Sequence, residues 1–203
     1  MNELEQVSQA LSTLGLSLNP EPFVAYLNLL HKWNQAYNLT AIRSFEDMIT
    51  HHLLDSLAIM PWIQGPRLLD VGTGAGLPGI PLAQAMPSLN VVLLDSHGKK
   101  IQFLREVKRT LSLSNVEIVQ TRVETYHPSS GFDTVTSRAF STLESFIHWT
   151  HHLISTEGIW LAMKGRYPDA ELEAIQNPYR VETYSVPGVI GERCCVIIDN
   201  KKE

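Results

Sequence analysis

Three observations predict an α/β fold built on a seven-stranded, mostly parallel sheet. From Arg67 onward, short apolar strand-like runs alternate with helical segments, which is the pattern of a parallel sheet covered on both faces. The first two of these strands are joined by a glycine-rich turn and a helix. The chain ends in two strand-like segments separated by a glycine-containing loop, which read as an antiparallel hairpin. Before Arg67 there is no strand pattern, so residues 1–64 are expected to form a helical extension and residues 65–203 the α/β domain.

The elements follow in order. Glu3 to Leu14 reads as a helix, and a second helix from Glu21 to Tyr37 starts after Asn19-Pro20. A third, Phe45 to Met60, opens on a Ser44 cap with Asp47 three residues on. Strand Arg67 to Val71 leads into a helix starting near Leu77 and ending at Met86, with Pro78 in its first turn, where the missing N–H is harmless. Then come strand Asn90 to Leu94, helix Gly98 to Leu111, strands Val116 to Gln120 and Phe132 to Ser137, and helix Leu143 to Leu153. Strand Ile159 to Met163, a helical stretch Asp169 to Ile175, and the pair Val181 to Val186 and Cys194 to Asp199 complete the chain.

The stretch from Leu68 to Asp95, LLDVGTGAGLPGIPLAQAMPSLNVVLLD, is half of a nucleotide-type cofactor site. Gly72, Gly74 and Gly76 alternate after the first strand, letting the backbone turn sharply and leaving no side chain between chain and ligand. Asp95 stands at the tip of the second strand, where a carboxylate can grip two ribose hydroxyls. Dinucleotide sites use G-x-G-x-x-G, but here the third glycine comes one place early and Leu77 holds the expected position. A bulky residue at the helix start argues against a pyrophosphate and for an adenosyl ligand without phosphates, namely S-adenosylmethionine. A tight βα turn that binds nothing would need only the glycines; glycine turn, helix and acidic tip occur here together. This makes the predicted fold a Rossmann-like, class I S-adenosylmethionine-dependent methyltransferase with an antiparallel C-terminal hairpin.

With 203 residues and 44% hydrophobic content, the chain can bury a sizeable core. No apolar run is long enough to span a membrane, and the polar, acidic MNELEQVSQA is unlike a basic and apolar signal, so a cytoplasmic protein is expected. Nothing in the sequence demands more than a monomer. Cys194 and Cys195 are adjacent and match neither a disulfide framework nor a metal knuckle; they read as reduced, buried strand residues. No metal is expected either from His51-His52 or His151-His152, because adjacent helical side chains diverge by about 100°. The formal charge is −5, but Lys99, Lys100, Arg105, Lys108 and Arg109 face only Glu106 within one helix, a local net charge of +4. Ile101, Leu104, Val107 and Leu111 supply that helix's buried face. The basic stripe is either a solvated face or a phosphate-holding surface beside the cofactor turn.

A series of short segments carries a resemblance across nearly the whole chain: Trp33-Asn34 with Asn38-Leu39-Thr40, His52-Leu53-Leu54-Asp55-Ser56, DVGTGAGLPGIPL from Asp70, LLDSHGKKIQFL from Leu93, Arg122-Val123-Glu124, Ser137-Arg138-Ala139, Met163-Lys164-Gly165 and Gly191-Glu192-Arg193. In order and spacing they resemble the ribosomal RNA small subunit methyltransferase G family, also called glucose-inhibited division protein B. The resemblance implies methylation by S-adenosylmethionine of N7 of one guanine, the 527-position guanine, in the decoding-region loop of 16S rRNA. It places cofactor contacts on Gly72, Leu77, Val123, Glu124 and Arg138, with Gly74, Gly76 and Asp95 added from the residues themselves. The partner it implies is 16S rRNA or the small ribosomal subunit. Lys99, Lys100, Arg105, Arg109 and Asn38 are the candidate substrate contacts. Asn38-Leu39-Thr40 also suits a simple capping role, and Trp33 and Tyr37, four apart on one helix face, read as core packing. Two positions depart from the family pattern: His51 stands where arginine is common and Cys194 where histidine is common.

Guanine N7 carries a free lone pair and no proton, so transfer from a sulfonium needs no general base, and positioning supplies most of the rate. A donor aimed at O6 keeps the base oriented as positive charge develops, and Arg138 and Lys164 are the catalytic candidates. Arg138 is also able to clamp a methionine carboxylate or meet the RNA. A small-molecule methyltransferase with the helical extension as a lid, or a non-catalytic cofactor-binding module, would use the same cofactor half.

Overall fold

A computed structural model describes residues 1–138 and 142–201. Seven strands form one sheet in the order β3-β2-β1-β4-β5-β7-β6: β1 (Arg67–Val71), β2 (Asn90–Asp95), β3 (Val116–Gln120), β4 (Phe132–Ser137), β5 (Ile154–Lys164), β6 (Tyr179–Tyr184) and β7 (Arg193–Asp199). β1 to β5 pair in parallel, whereas β7 runs antiparallel between β5 and β6. The predicted mostly parallel sheet with an antiparallel C-terminal hairpin is therefore present. Strand order reverses at β1, whose neighbours are β2 and β4, and this is where α/β sheets open a ligand crevice.

Strand side chains alternate between two cores. Leu68, Val91, Leu93, Cys195 and Ile197 face one core, and their neighbours Leu69, Val92, Leu94, Val196 and Ile198 face the other. α5 (Gly79–Ala85) and α6 (Gly98–Thr110) lie in the first core, and α7 (Leu143–Thr150) in the second. The helices before the sheet, α1 (Glu3–Thr13) and α2 (Glu21–Tyr37), bury Val7, Leu11, Phe23, Leu27 and Leu30 in the first core, so they share it with the sheet. α1 starts in a reciprocal capping box between Asn2 and Glu5. On α2, the buried Tyr26 hydroxyl donates to the Ala75 carbonyl of the glycine turn at 2.8 Å, and Trp33 packs on Phe103 of α6, with ring centroids 5.7 Å apart. The extension thus props the turn directly.

Several boundaries differ from the sequence expectation. The single helix Phe45 to Met60 is instead α3 (Phe45–Met48), a π-helical stretch Ile49–Leu54, α4 (Asp55–Leu57) and a 3-10 turn Met60–Trp62. In the middle, Ile49, His52, Leu53 and Leu54 are all buried, more inward-facing residues than a 3.6-residue period supplies, and the wider π turn accommodates them. The Ser44 cap is present, with its hydroxyl accepting from the Asp47 N–H at 3.0 Å. α5 begins at Gly79 rather than near Leu77, because the N–H groups of Gly76 and Leu77 fold back onto the Thr73 carbonyl. α7 stops at Thr150, whose hydroxyl accepts from the Trp160 indole, and the chain turns into a strand that starts earlier than expected, at Ile154. A short α8 (Asp169–Leu172) replaces the longer stretch to Ile175, and β6 lies two residues earlier than the predicted run.

Candidate active site at the carboxyl edge of the sheet

The loops after β1, β2 and β3 enclose a cavity of about 400 Å3, lined by Val71, Gly72, Leu94, Asp95, His97, Lys100, Val123 and Glu124 among others. Gly72 has φ +66°, and a Cβ added there meets no atom within 4 Å, so its backbone faces open space. Gly74 turns its N–H to the Asp95 carboxylate at 3.0 Å, which ties the glycine turn to the tip of β2. The other Asp95 oxygen accepts from the His97 backbone N–H and pairs with its Nδ1, both at 2.9 Å, while Lys100 Nζ stands 3.4 Å from the first. Burial alone would raise this carboxyl, but the His97 donors, the Lys100 charge and the Gly74 N–H outweigh it and hold Asp95 below the usual carboxylate range, ionised.

Beneath this turn lies Asp70, fully buried on β1. One oxygen accepts from the Thr73 hydroxyl at 2.6 Å and from the Gly79 N–H at the start of α5 at 2.9 Å. The other, Oδ1, has no hydrogen-bond partner among the described residues. Burial pushes the Asp70 carboxyl up to about 6, against the opposing pull of these two donors and of Arg138. Asp70 belongs to the glycine-turn motif, yet sequence reasoning did not single it out.

A second cavity, of about 250 Å3, opens on the same edge beyond β4 and β5, where the sheet meets the π-helical segment. Its lining includes His51, His52, Asp55, Arg138, Lys164, Tyr184 and Arg193. The Arg138 guanidinium donates to the His51 carbonyl at 3.1 Å and to His52 Nδ1 at 3.3 Å, with Asp55 at 3.9 Å. Because a guanidinium only donates, His52 Nδ1 is the acceptor and its Nε2–H donates to the Thr40 hydroxyl at 2.8 Å. Burial, with the Arg138 charge, pushes His52 down to about 3, so it is neutral. Asp55 is raised by burial, although Arg138 and Arg193 draw it the other way. Burial and the Asp55 charge hold the Tyr184 phenol protonated. Lys164 is gripped by both Glu171 oxygens, at 3.0 and 2.8 Å.

The structure therefore sorts the predicted site residues. Gly72, Asp95, Val123, Glu124 and Lys100 meet at the first cavity, with Gly74 bound to its floor carboxylate. Arg138 and Lys164 meet at the second; Arg138, also predicted to touch the cofactor, is not in the lining of the first cavity, because its guanidinium is drawn toward the helical extension. Gly76 and Leu77 serve packing: a Cβ on Gly76 would lie 2.4 Å from Ile80, and Leu77 is buried in the first core. Asn38 closes α2 in a left-handed conformation, φ 50°, and its side chain accepts from Arg43 at 2.7 Å, away from both cavities. Lys99 lies 6.0 Å from the Tyr37 ring centroid. Arg105, Lys108 and Arg109 line a separate shallow surface groove, where Arg109 pairs with Glu106. Ala139 lies outside the described residues. Asp55, Tyr184 and Arg193 were not predicted as site residues; Asp55 and Arg193 sit in quoted motifs, but only the fold brings them together with Tyr184. Among the described residues, no group of three or more His, Cys, Asp or Glu side chains is placed to hold a metal ion, and no helix is long and apolar enough to cross a membrane.

A sheet of this order, with a glycine turn and an acidic strand tip around an open cavity, defines a Rossmann-like methyltransferase. Solved structures share the fold: a SAM-dependent methyltransferase from Aquifex aeolicus matches with TM-score 0.58 and 16% identity over 76% of this chain and 93% of that one. A human methyltransferase 10 domain containing protein matches with TM-score 0.59 and 12% identity over 92% of this chain and all of the other. In sequence, the protein named ribosomal RNA small subunit methyltransferase G from Legionella pneumophila strain Corby is 59% identical over 96% of this chain and 93% of its own length. The Pseudomonas syringae protein of the same name is 47% identical over 95% of each. The family model for rRNA small subunit methyltransferase G matches residues 19–193. The chain belongs to the rRNA small subunit methyltransferase G family.

Proposed function

We propose that this protein transfers a methyl group from S-adenosylmethionine to N7 of one guanine, the 527-position guanine of 16S rRNA, working as a cytoplasmic monomer on the small ribosomal subunit. The observation that carries this reading is the pair of cavities on one sheet edge, one built like an adenosyl site and the other lined by Arg138, Lys164 and Arg193. The first cavity fits the cofactor. Gly72 leaves room for close backbone approach, Asp95 is an ionised acceptor, and Val123 with Glu124 offers an apolar wall and a carboxylate. To accept ribose hydroxyls, Asp95 must release the side chains of His97 and Lys100, which are 70% and 32% exposed, while it keeps the His97 and Gly74 backbone N–H groups.

S-adenosylmethionine supplies an activated methyl group on a sulfonium. The protein's work is alignment. No proton leaves N7, so no side chain has to act as base, and the rate comes from holding nitrogen, carbon and sulfur in line. Arg138 is the better placed of the two donors for O6: its contacts are longer than those of Lys164, whose ammonium already binds Glu171. Residues 1–64 act as an extension that props the cofactor turn and walls the second cavity, while residues 65–203 carry the chemistry. Arg105, Lys108 and Arg109 hold RNA phosphates at a distance from the reacting base.

The test is calorimetric titration with S-adenosylmethionine, followed by methyl transfer to small subunits over a range of salt. Cofactor binding together with transfer that falls steeply with ionic strength is expected. Cofactor binding without transfer to subunits or to protein-free 16S rRNA would favour a small-molecule enzyme or a cofactor-binding module instead.

A further inference from the structure

We propose that Asp55 is the residue that selects guanine, its carboxylate accepting the N1–H and N2–H2 donors of the base in the 250 Å3 cavity between the sheet edge and the π-helical segment. This assignment rests on the functional reading above and names the side chain that gives it base specificity.

Asp55 is only 5% exposed, yet it is poorly bonded. Among the described residues its one hydrogen bond is from the Tyr184 hydroxyl, at 3.3 Å. Arg193 Nε stands at 3.7 Å and Arg138 Nη1 at 3.9 Å, beyond hydrogen-bonding distance, and Arg193 Nε is buried with no hydrogen-bond partner among the described residues. Two other carboxylates of this edge are better filled, and the buried Asp70, whose Oδ1 also lacks a partner among the described residues, lines neither cavity. Asp95 takes four donors, and Glu171 binds Lys164 with both oxygens and also the Leu143 N–H at 2.7 Å. A carboxylate offers about four acceptor positions, and leaving them empty away from water is costly. Asp55 keeps most of its positions open, and they face a cavity of a size that suits one base flipped out of its stack.

Base chemistry identifies the occupant. The Watson–Crick edge of guanine carries two adjacent donors, N1–H and N2–H2, spaced for the two oxygens of one carboxylate. Adenine and cytosine each set one donor beside a bare ring nitrogen, which a carboxylate repels, and uracil flanks a single N–H with two carbonyls. Only guanine satisfies Asp55 twice. Around the guanine rim the groups then run N2, N1, O6, N7. Arg193 and Tyr184 stand against Oδ1 of Asp55 and Arg138 against Oδ2; with N2 on Oδ1 and N1 on Oδ2, O6 falls next to Arg138, and N7 is turned away from Asp55. The donor pair on Asp55 and the O6 donor on Arg138 together present N7 as the group left free to react.

The experiment uses small subunits reconstituted with 16S rRNA carrying guanine, inosine or adenine at the target position, with the full-length protein and its Asp55→Asn variant. Inosine keeps N1–H, O6 and N7 but lacks the N2 amine. The wild-type protein is expected to lose at least tenfold in kcat/KM on inosine subunits relative to guanine, and more on adenine. D55N should lose about 100-fold or more on guanine, bind S-adenosylmethionine within twofold of wild type, and show a guanine-to-inosine ratio close to one. Equal wild-type activity on guanine and inosine overturns the assignment, even where D55N fails to fold. Retention of the full guanine preference by D55N also overturns it, because a merely structural Asp55 would slow both substrates alike. No transfer by wild type to guanine subunits would instead overturn the functional reading itself, and the Asp55 assignment with it.

Discussion

Replacing Asp70 by asparagine should change how stability depends on pH, by an amount the structure sets. Burial raises the Asp70 carboxyl from 3.8 to about 6 in the folded protein. The folded state therefore holds this proton more tightly than the unfolded chain does. The stability tied to the protonated carboxyl is full below pH about 4, is lost as pH rises to about 6, and stays lost above. A difference of about two pH units, at about 1.4 kcal/mol each, amounts to about 3 kcal/mol. Asp70→Asn carries no charge at any pH, and its amide oxygen can still accept from Thr73 and Gly79. Any cost of placing an amide N–H2 where Oδ1 now stands is independent of pH. Urea unfolding of both proteins between pH 4 and pH 7, followed by tryptophan fluorescence, should show the variant gaining about 2.4 kcal/mol on wild type across that range, the rest of the effect lying below pH 4. A gap constant to within about 1 kcal/mol would refute the idea that a buried, half-satisfied carboxylate holds the glycine turn.

Gly72→Ala places a side chain at φ +66° and into the open cavity, so it should cost about 1–2 kcal/mol of stability and weaken S-adenosylmethionine binding at least tenfold by calorimetry; unchanged affinity would remove that cavity as the cofactor site. Arg138→Met removes a positive neighbour from His52, so the imidazole pKa should rise from about 3, while burial, the larger cause, keeps it below 6.5; an unmoved NMR titration would contradict the contact. Changing Arg105, Lys108 and Arg109 together to alanine should reduce the dependence of log affinity for small subunits on log salt by about two. An unchanged slope would place the RNA contacts elsewhere.

The central strands β1 and β2 were legible because each is a short apolar run that the sheet buries on both faces, and alternate residues do enter two separate cores. The glycine turn and Asp95 were legible for a similar reason: their roles are local, fixed by residues within one βαβ unit. Leu77 and Gly76 show what motif reading leaves out, since the first core also needs them: Leu77 is buried there, and a Cβ on Gly76 would meet Ile80 and Leu104. The break in the helix Phe45 to Met60 was hidden because the sequence there carries no proline or glycine, and the π turn answers a tertiary demand to bury His52 beside Leu53 and Leu54. The second cavity was the least visible. Asp55 meets Tyr184 and Arg193 across more than 120 residues of chain, and no spacing rule connects them. Arg138 was named from the sequence as a candidate, but its direction, toward His51 and His52, was not legible there.

The most direct test of the account is transfer of a labelled methyl group from S-adenosylmethionine to small ribosomal subunits from cells that lack their own enzyme, with the modified nucleotide mapped afterwards. Label is expected on N7 of a single 16S rRNA guanine, the 527-position guanine, and none elsewhere. Label on a different atom or base, or cofactor binding with no label on subunits or on free 16S rRNA, would contradict it.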